Sequence, residues 1–401
     1  MFHWVILSTD FLLYALLLAL IIFIIWVRRN EDLRAPWRQV GRRRLAMVAL
    51  VVLSCFILVG VLDSVHLRFA LHKNASGQVH YSGEVYSVLD LIMGPVGERY
   101  EKTYSAPFAS RAYSKAIMPS ASGQLTMAYP PLLYGGAEPA EVTLLSVGLA
   151  LAVAIAGWLI FTFSLVAWQA KQSQISLRER WRMILQNKAN LAWRELFFTL
   201  LVMMIIISVC AACADKYHIL GTDKVGKDVF FAAVKSIRTG LVIGTVTTLV
   251  MLPFAMFLGT AAGFFGGWVD DVIQYVYTTL SSIPGVLLIS ATVLTLQVYI
   301  ANHPNLFPTI IEQADARLLA LCIILGVTSW TSLCRLLRAE TLKVREMDYV
   351  RMATALGVQR LMIIFRHVLP NVLHIVLITV VLDFSSLVLA EAVLSYVGVG
   401  V

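Results

Sequence analysis

Hydrophobic residues along this chain fall in long blocks separated by short polar stretches. Eight blocks, approximately 5–27, 45–62, 142–167, 193–212, 239–264, 271–299, 317–337 and 371–398, lie near the ~20 apolar residues a helix needs to cross a hydrocarbon core roughly 30 Å thick. The pattern predicts an all-α polytopic membrane protein. The first block lacks a basic start and a small-residue cleavage site, and seven arginines follow it between Arg28 and Arg44, so it reads as a retained span rather than a cleaved leader.

The polar stretches differ in kind. Residues 63–141 hold no span but scatter Gly, Ser and Pro among seven tyrosines and the pair Pro130–Pro131. A stretch this long is more than a connection and is expected to form an outer lobe, whose fold the pattern leaves unassigned. The segment 168–192 runs into "LRERWRMILQNKANLAWRE", where Trp and Arg suit a helix at the lipid headgroups, and a similar "RAPWRQVGRRRLAMV" precedes the second block. After the fourth block, Val229, Phe230, Ala233 and Ile237 share one side of a helix expected from Val225 to lie along the membrane surface. The expected organisation is a transmembrane hairpin over 1–62, an outer lobe over 63–141, a third span with an interfacial helix over 142–192, and a core of spans over 193–401.

Within that core Ala255, Gly259, Gly263 and Gly267 recur every four residues, a stripe that lets helix backbones approach closely. Pro253 and Pro284 sit inside the fifth and sixth blocks, where each removes a helix hydrogen bond and is expected to kink the rod.

Composition agrees with this picture, at 59% hydrophobic and 14% charged residues. The charge adds orientation. The stretches Arg28–Arg44, Lys171–Arg194 and Arg335–Arg366 carry 7, 6 and 7 of the 32 Lys and Arg residues, and basic loops stay on the cytoplasmic side. The net charge of +8 is therefore topological and does not imply nucleic-acid binding. Cys210 and Cys213 form a Cys-x-x-Cys, but it closes an apolar helix and fits lipid or helix packing better than redox chemistry. His66, His72 and His80 lie in the lobe without the tight spacing of a metal site.

The stretch "GTDKVGKD", 221–228, nearly matches a phosphate-cradling loop, with Gly221, Gly226 and Lys227 in register. Asp228 stands where magnesium needs Ser or Thr, and the segment follows a span on the outer side, so the chain is not expected to bind ATP.

The most informative polar stretch is "RLLRAETLKVREMDYVRMATALGVQRLMIIFRHVLPN", 335–371. Met347, Val350, Ala353 and Leu356 recur every third residue as an apolar stripe. Gly357 can end that helix, and Pro370 suits the first turn of the next. Such a helix–Gly–helix either lays one face in a groove of a soluble partner or rests on lipid, and the residues alone leave both open.

This loop resembles the signature of binding-protein-dependent ABC transporter permeases. Ala353, Gly357, Leu369 and Pro370 match it in register, whereas Arg351 replaces its Glu, Met352 its first Ala and His367 its Ile. The peptide and nickel branch is closer, reading "DYVRAARALG" and then "IIxRHxLPN". Asp348, Tyr349, Val350, Arg351, Ala355, Leu356, Ile363, Ile364, Arg366, His367 and Asn371 fit that pattern. "LGTDKVGKD", with Gly221, Thr222, Asp223, Gly226 and Asp228, resembles the branch's "LGTDxxGRD". "GFFGGWVDD", "SSIPGVLL" and "EAVLSYVGVG" resemble three more landmarks in the same order, so the likeness covers 180–401.

The resemblance implies a type I importer transmembrane domain carrying extra N-terminal spans and a periplasmic lobe. It implies a second homologous permease subunit, two cytosolic ATPase subunits holding the ATP and Mg, and a periplasmic peptide-binding protein, in a bacterial inner membrane. The segment 338–370 would couple to the ATPase, and this chain would bind no cofactor or metal and do no bond chemistry. Members of the family continue past "LSFLGLGV"-like sequence with another span, so a final span is expected after Val401. Asp383 and Glu391 lie in the eighth block, where a carboxylate costs at least a few kcal/mol unless it faces water or the protein interior. They are candidates for the translocation path, Glu391 being equally open to a bond across helices. A proton-driven secondary transporter using these acids would carry inverted repeats and broken-helix ion sites, which the sequence does not display. A membrane enzyme would need a nucleophile or metal constellation, and none is evident in the sequence. Peptide and nickel substrates are not separable on these residues.

Overall fold

The computed structural model describes residues 2–73, 79–81, 85–119, 125–135, 140–186, 191–303 and 309–397. In chain order the elements are β1 (Phe2–Val5), α1 (Ser8–Arg29), α2 (Glu31–Arg42), α3 (Arg44–Ser64), β2 (His66–Lys73), β3 (Val79–Tyr81), β4 (Tyr86–Ser87) and α4 (Val88–Gly97). Next come β5 (Ala116–Pro119), β6 (Leu125–Ala128), α5 (Ala140–Ser173), α6 (Leu177–Leu185), α7 (Trp193–Ala214), α8 (Val229–Phe265), α9 (Gly267–Ser282) and α10 (Gly285–Asn302). The chain ends with α11 (Ile310–Arg345), α12 (Asp348–Ala355), α13 (Arg360–Ile363), a π-helical turn (Ile364–Val368) and α14 (Leu369–Val397).

The fold is mostly helical because apolar runs in lipid must satisfy every backbone group internally. Among the described residues seven helical runs are long and apolar enough to cross a membrane, and a bent pair makes an eighth. That pair is the expected span over 271–299, bent where Pro284 is expected to kink it. Gly267–Ser282 and Leu287–Asn302 meet at 78°, because Pro284 forces Ile283 into extended backbone (φ −84°, ψ 126°) and ends α9. Pro253, expected to act alike, sits inside an unbroken α8. A correction concerns the expected surface helix from Val225. It starts at Val229 and continues without a break into the fifth span as one helix of 37 residues.

The residues form two compact units. The first gathers Met1–Leu17, Arg68–Val85 and Thr239–Val401. Its core interleaves Met251 and Ala255 of α8, Trp330, Leu333 and Leu337 of α11, Val350 of α12, and Ile363, Val368 and Val372 beyond. Lipid tails are as apolar as these side chains, so close packing rather than escape from water holds such helices together. Glycine makes it possible. A Cβ at Gly259 would stand 2.8 Å from the Cys334 carbonyl oxygen, and one at Gly263 2.6 Å from Thr341 Cβ. Gly267 does not join that stripe as expected: nothing lies within 4 Å of its Cβ position, since it opens α9 at φ +55°.

Polar clamps fix α11 near both ends. Thr309 and Glu312 form a capping box at its start. One turn on, Asp315 Oδ2 accepts from the backbone N–H of Ser8 (2.9 Å) and Thr9 (3.3 Å). A carboxylate there neutralises the otherwise unpaired amides of the α1 N-terminus. Arg68 of β2 approaches Glu312 at 3.7 Å. Toward its other end, Arg338 grips Asp270 of α9 through Nε and Nη2, the latter at 2.6 Å. The sequence-distant residues 1–17 and 68–85 thus have named attachments to α11.

The second unit holds Leu18–Leu67 and Tyr86–Arg238. Val166, Ile184 and Phe197 are buried among Trp158, Trp181 and Trp193, and Trp158 Nε1 donates to the Phe197 carbonyl at 2.8 Å. The amphipathic α6 is capped by Ser176, which accepts from Glu179 N–H, and Arg180 donates to Gln169 Oε1 at 2.8 Å. Ala192 N–H donates to the Gly41 carbonyl at 3.1 Å and Arg44 pairs with Glu195 at 3.4 Å. The expected outer lobe contributes β4, a capping box at Ser87 and Asp90 that starts α4, and the antiparallel β5–β6 hairpin pairing Ile117 with Met127. His66 is buried with Nδ1 3.1 Å from the Ser64 carbonyl oxygen. The side chains of His72 and His80 lie outside the described residues.

Candidate coupling loop and the Gly-Thr-Asp segment

α11 stops at Glu346, and after the extended Met347 the chain starts α12 with Asp348 in its first turn, favourable to the helix dipole. The end of α12 is set by Gly357. Its φ of +76° lets its N–H donate to the Thr354 carbonyl and that of Val358 to the Ala353 carbonyl, both at 3.1 Å. These two bonds make a Schellman cap, which needs a left-handed residue after the helix. Nothing lies within 4 Å of where a Gly357 Cβ would be, so backbone conformation alone demands glycine.

The apolar stripe expected on α12 divides. Val350 is buried at 1% exposure and Ala353 packs beside it against the core of its own unit. Met347 and Leu356 are exposed, Leu356 at 79%. The face left open is instead Tyr349, Met352, Leu356, Leu361 and Met362, all exposed. Arg351 points along the surface to Glu346, which also lies 3.5 Å from Arg345, and the Arg351 guanidinium holds the Glu346 carboxyl below its usual range. Ala355 is exposed; the Tyr349 ring lies 6.2 Å from that of His367. A period of three marks the stripe of Val350 and Ala353 but does not say which side of it faces the protein's own core.

The second motif is closed. Gly221 and Gly226 both have positive φ, +75° and +84°, and a Cβ would stand 2.2 Å from the Ser105 carbonyl oxygen or 1.7 Å from that of Glu101. Thr222 Oγ1 donates to the Thr103 carbonyl at 2.9 Å. Asp223 Oδ1 accepts from the backbone of Val225 and Lys227, each at 2.9 Å. Asp228 caps α8 through Phe231 N–H (3.0 Å) and its other oxygen meets His218 Nδ1 at 2.7 Å. His218, 1% exposed, has Nε2 3.6 Å from Glu101 Oε1. Several of the amides that a phosphate loop would offer are therefore spent inside the motif. His218 and Glu101 were not singled out in the sequence; "HILGTD" places the histidine beside the motif, whereas nothing local marks Glu101.

Asp383 is half-buried, and its Oδ2 is sequestered with no hydrogen-bond partner among the described residues. Glu391 Oε1 accepts from Ser395 Oγ at 2.9 Å, one turn along the same helix.

Residues 252–401 match the family described as binding-protein-dependent transport system inner membrane component. The match takes in the C-terminal part of the chain. The matched region takes in the candidate coupling loop, Asp383 and Glu391, but begins after the Gly-Thr-Asp segment. Similar proteins include the oligopeptide transport system permease protein of Mycobacterium tuberculosis, 28% identical over 46% of this chain and 58% of that protein. A dipeptide transport system permease protein of Alkalihalophilus pseudofirmus is 30% identical over 46% of this chain and 54% of its own length. A glutathione transport system permease protein of Pectobacterium atrosepticum is 27% identical, with 46% and 55% covered. The chain spans a little over half the length of these relatives.

Proposed function

We propose that this chain is the C-type permease subunit of an ATP-driven peptide importer in a bacterial inner membrane. It works beside a second homologous permease subunit, with two cytosolic ATPase subunits that hold ATP and Mg and a periplasmic peptide-binding protein outside. Residues 338–370 are the coupling element. The observation that carries this reading is the open apolar face of Tyr349, Met352, Leu356, Leu361 and Met362 on a turn fixed by the Gly357 cap. A rigid helix presenting apolar anchors is suited to a groove on a partner. The names of the similar proteins favour di- and oligopeptides over nickel as cargo.

Closure of the ATPase pair on ATP pulls the loop, and the helices rock between outward and inward access. Asp348, Tyr349, Arg351, Ala355 and Leu356 frame the contact, while Val350 and Ala353 transmit its motion by packing beneath it. Asp383 is the candidate polar group of the path.

The test is Met352→Glu in the assembled transporter. Placing a charge at a central apolar contact is expected to lower peptide-stimulated ATP hydrolysis and uptake about tenfold or more, the effect of losing one interface anchor. A Met352→Cys variant is expected to cross-link to the ATPase subunit. Normal uptake in the Glu variant together with no cross-link would sink the assignment.

A further inference from the structure

The helix α2 has one residue of slack at either end. Asn30 (φ −103°, ψ 117°) and Arg43 (φ −77°, ψ 125°), both in extended backbone, join it to α1 and α3. Each of those neighbours is long and apolar enough to cross a membrane. A helix of 12 residues is about 18 Å long. Tied this closely to two successive spans, it has both ends at one face of the bilayer and lies along that face.

One point of α2 is fixed to protein. The Gly41 carbonyl accepts from Ala192 N–H at 3.1 Å, and a Cβ at Gly41 would stand 2.4 Å from Leu191 Cδ2. Elsewhere its described side chains are open. Trp37 and Val40, three residues apart, are exposed at 56% and 45%. Arg38 and Arg42, four residues apart, occupy the adjoining face with Arg43 just beyond, all exposed. None of these three arginines forms an ion pair among the described residues. Arg28 and Arg29 end α1 exposed, and Arg44, at the start of α3, reaches Glu195 at 3.4 Å. From 28 to 44 the chain sets seven arginines against only Glu31 and Asp32.

The place of α2 between two spans says what covers Trp37 and Val40, namely the acyl boundary of the bilayer. Its charge says which lipids gather there. Guanidinium forks match phosphate oxygens, and basic clusters beside a span attract anionic headgroups. We propose that α2 is a binding site for anionic phospholipid, with Trp37 and Val40 entering the acyl boundary while Arg38, Arg42 and Arg43 hold headgroup phosphates. Because Gly41 is bonded to Ala192, a lipid held there also steadies the start of α7. The site depends neither on the cargo nor on the ATPase partner.

The experiment places the whole chain in phosphatidylcholine nanodiscs containing a minor share of lipid brominated on its acyl chains, which quenches nearby tryptophan. The brominated lipid is either phosphatidylglycerol or phosphatidylcholine, and the Trp37 signal is the difference from a Trp37→Phe variant. Quenching of Trp37 is expected to be about fivefold stronger with brominated phosphatidylglycerol, and that preference to fade as salt screens the headgroups. Arg38→Gln with Arg42→Gln is expected to remove the preference while Trp37 stays quenched. Should that variant fail to fold, the salt titration of the unaltered chain still decides. Equal quenching by the two lipids at low salt, or a preference that persists at high salt or in the folded double variant, would overturn the proposal. So would a Trp37 that neither lipid quenches, which would mean that protein covers this face.

Discussion

Two loops of this protein use glycine at positive φ for opposite ends. At Gly357 the left-handed turn ends α12 in open space, and the neighbouring side chains stay exposed. At Gly221 and Gly226 the same backbone conformation lets the chain press against the carbonyls of Ser105 and Glu101, and the Thr222, Asp223 and Asp228 side chains bond within the protein. One loop has its shape fixed and its surface free. The other has its polar side chains engaged and leaves Val225 exposed. The first therefore has an open face to offer, whereas the polar side chains of the second serve the fold.

The sharpest way to break the comparison is alanine at both places. Gly226→Ala drives a methyl into the Glu101 carbonyl and strains the backbone, and is expected to cost about 3 kcal/mol or more, seen as loss of folded protein in detergent. Gly357→Ala meets no atom and is expected to cost only about 1 kcal/mol, the left-handed penalty, with Asn at 357 milder because it tolerates that region. Equal melting shifts for the two alanines would refute the contrast. Met352→Glu, on the exposed face, should move the melting temperature by no more than about 0.5 kcal/mol equivalent while partner-dependent activity falls. The smallest effect concerns Asp90 of α4, whose carboxyl burial pushes up but Lys235, 2.7 Å away, and Ser87 bring net below its ordinary value. A lowered folded pKa contributes stability above the unfolded value and loses it as pH falls through the folded one. Asp90→Asn should thus cost about 1 kcal/mol or less near neutral pH, with the two proteins converging in thermal melts as the pH falls through the lowered folded value.

Much of this was legible in the sequence because the bilayer imposes a strong length rule. The membrane-crossing runs lie where hydrophobic blocks do, and the loop from 335 to 371 showed its helix–Gly–helix form directly. The sequence was silent where three-dimensional context decides. Pro253 and Pro284 look alike on paper, yet Pro284 ends a helix and Pro253 lies within one. The stripe of Val350 and Ala353 was visible, but its direction depended on Ile363 and Val368 lying underneath. His218 and Glu101, 117 residues apart in the chain, meet only once the lobe has folded.

α11 carries a mechanical consequence. At 36 residues it is about 54 Å long, and the Asp315 and Arg338 anchors stand near its two ends. A stiff lever of that length converts a tilt of about 5° into roughly 5 Å of travel at its tip. Small rotations at the α12 end would therefore be felt at the first helix of the chain, which Asp315 holds by its amides.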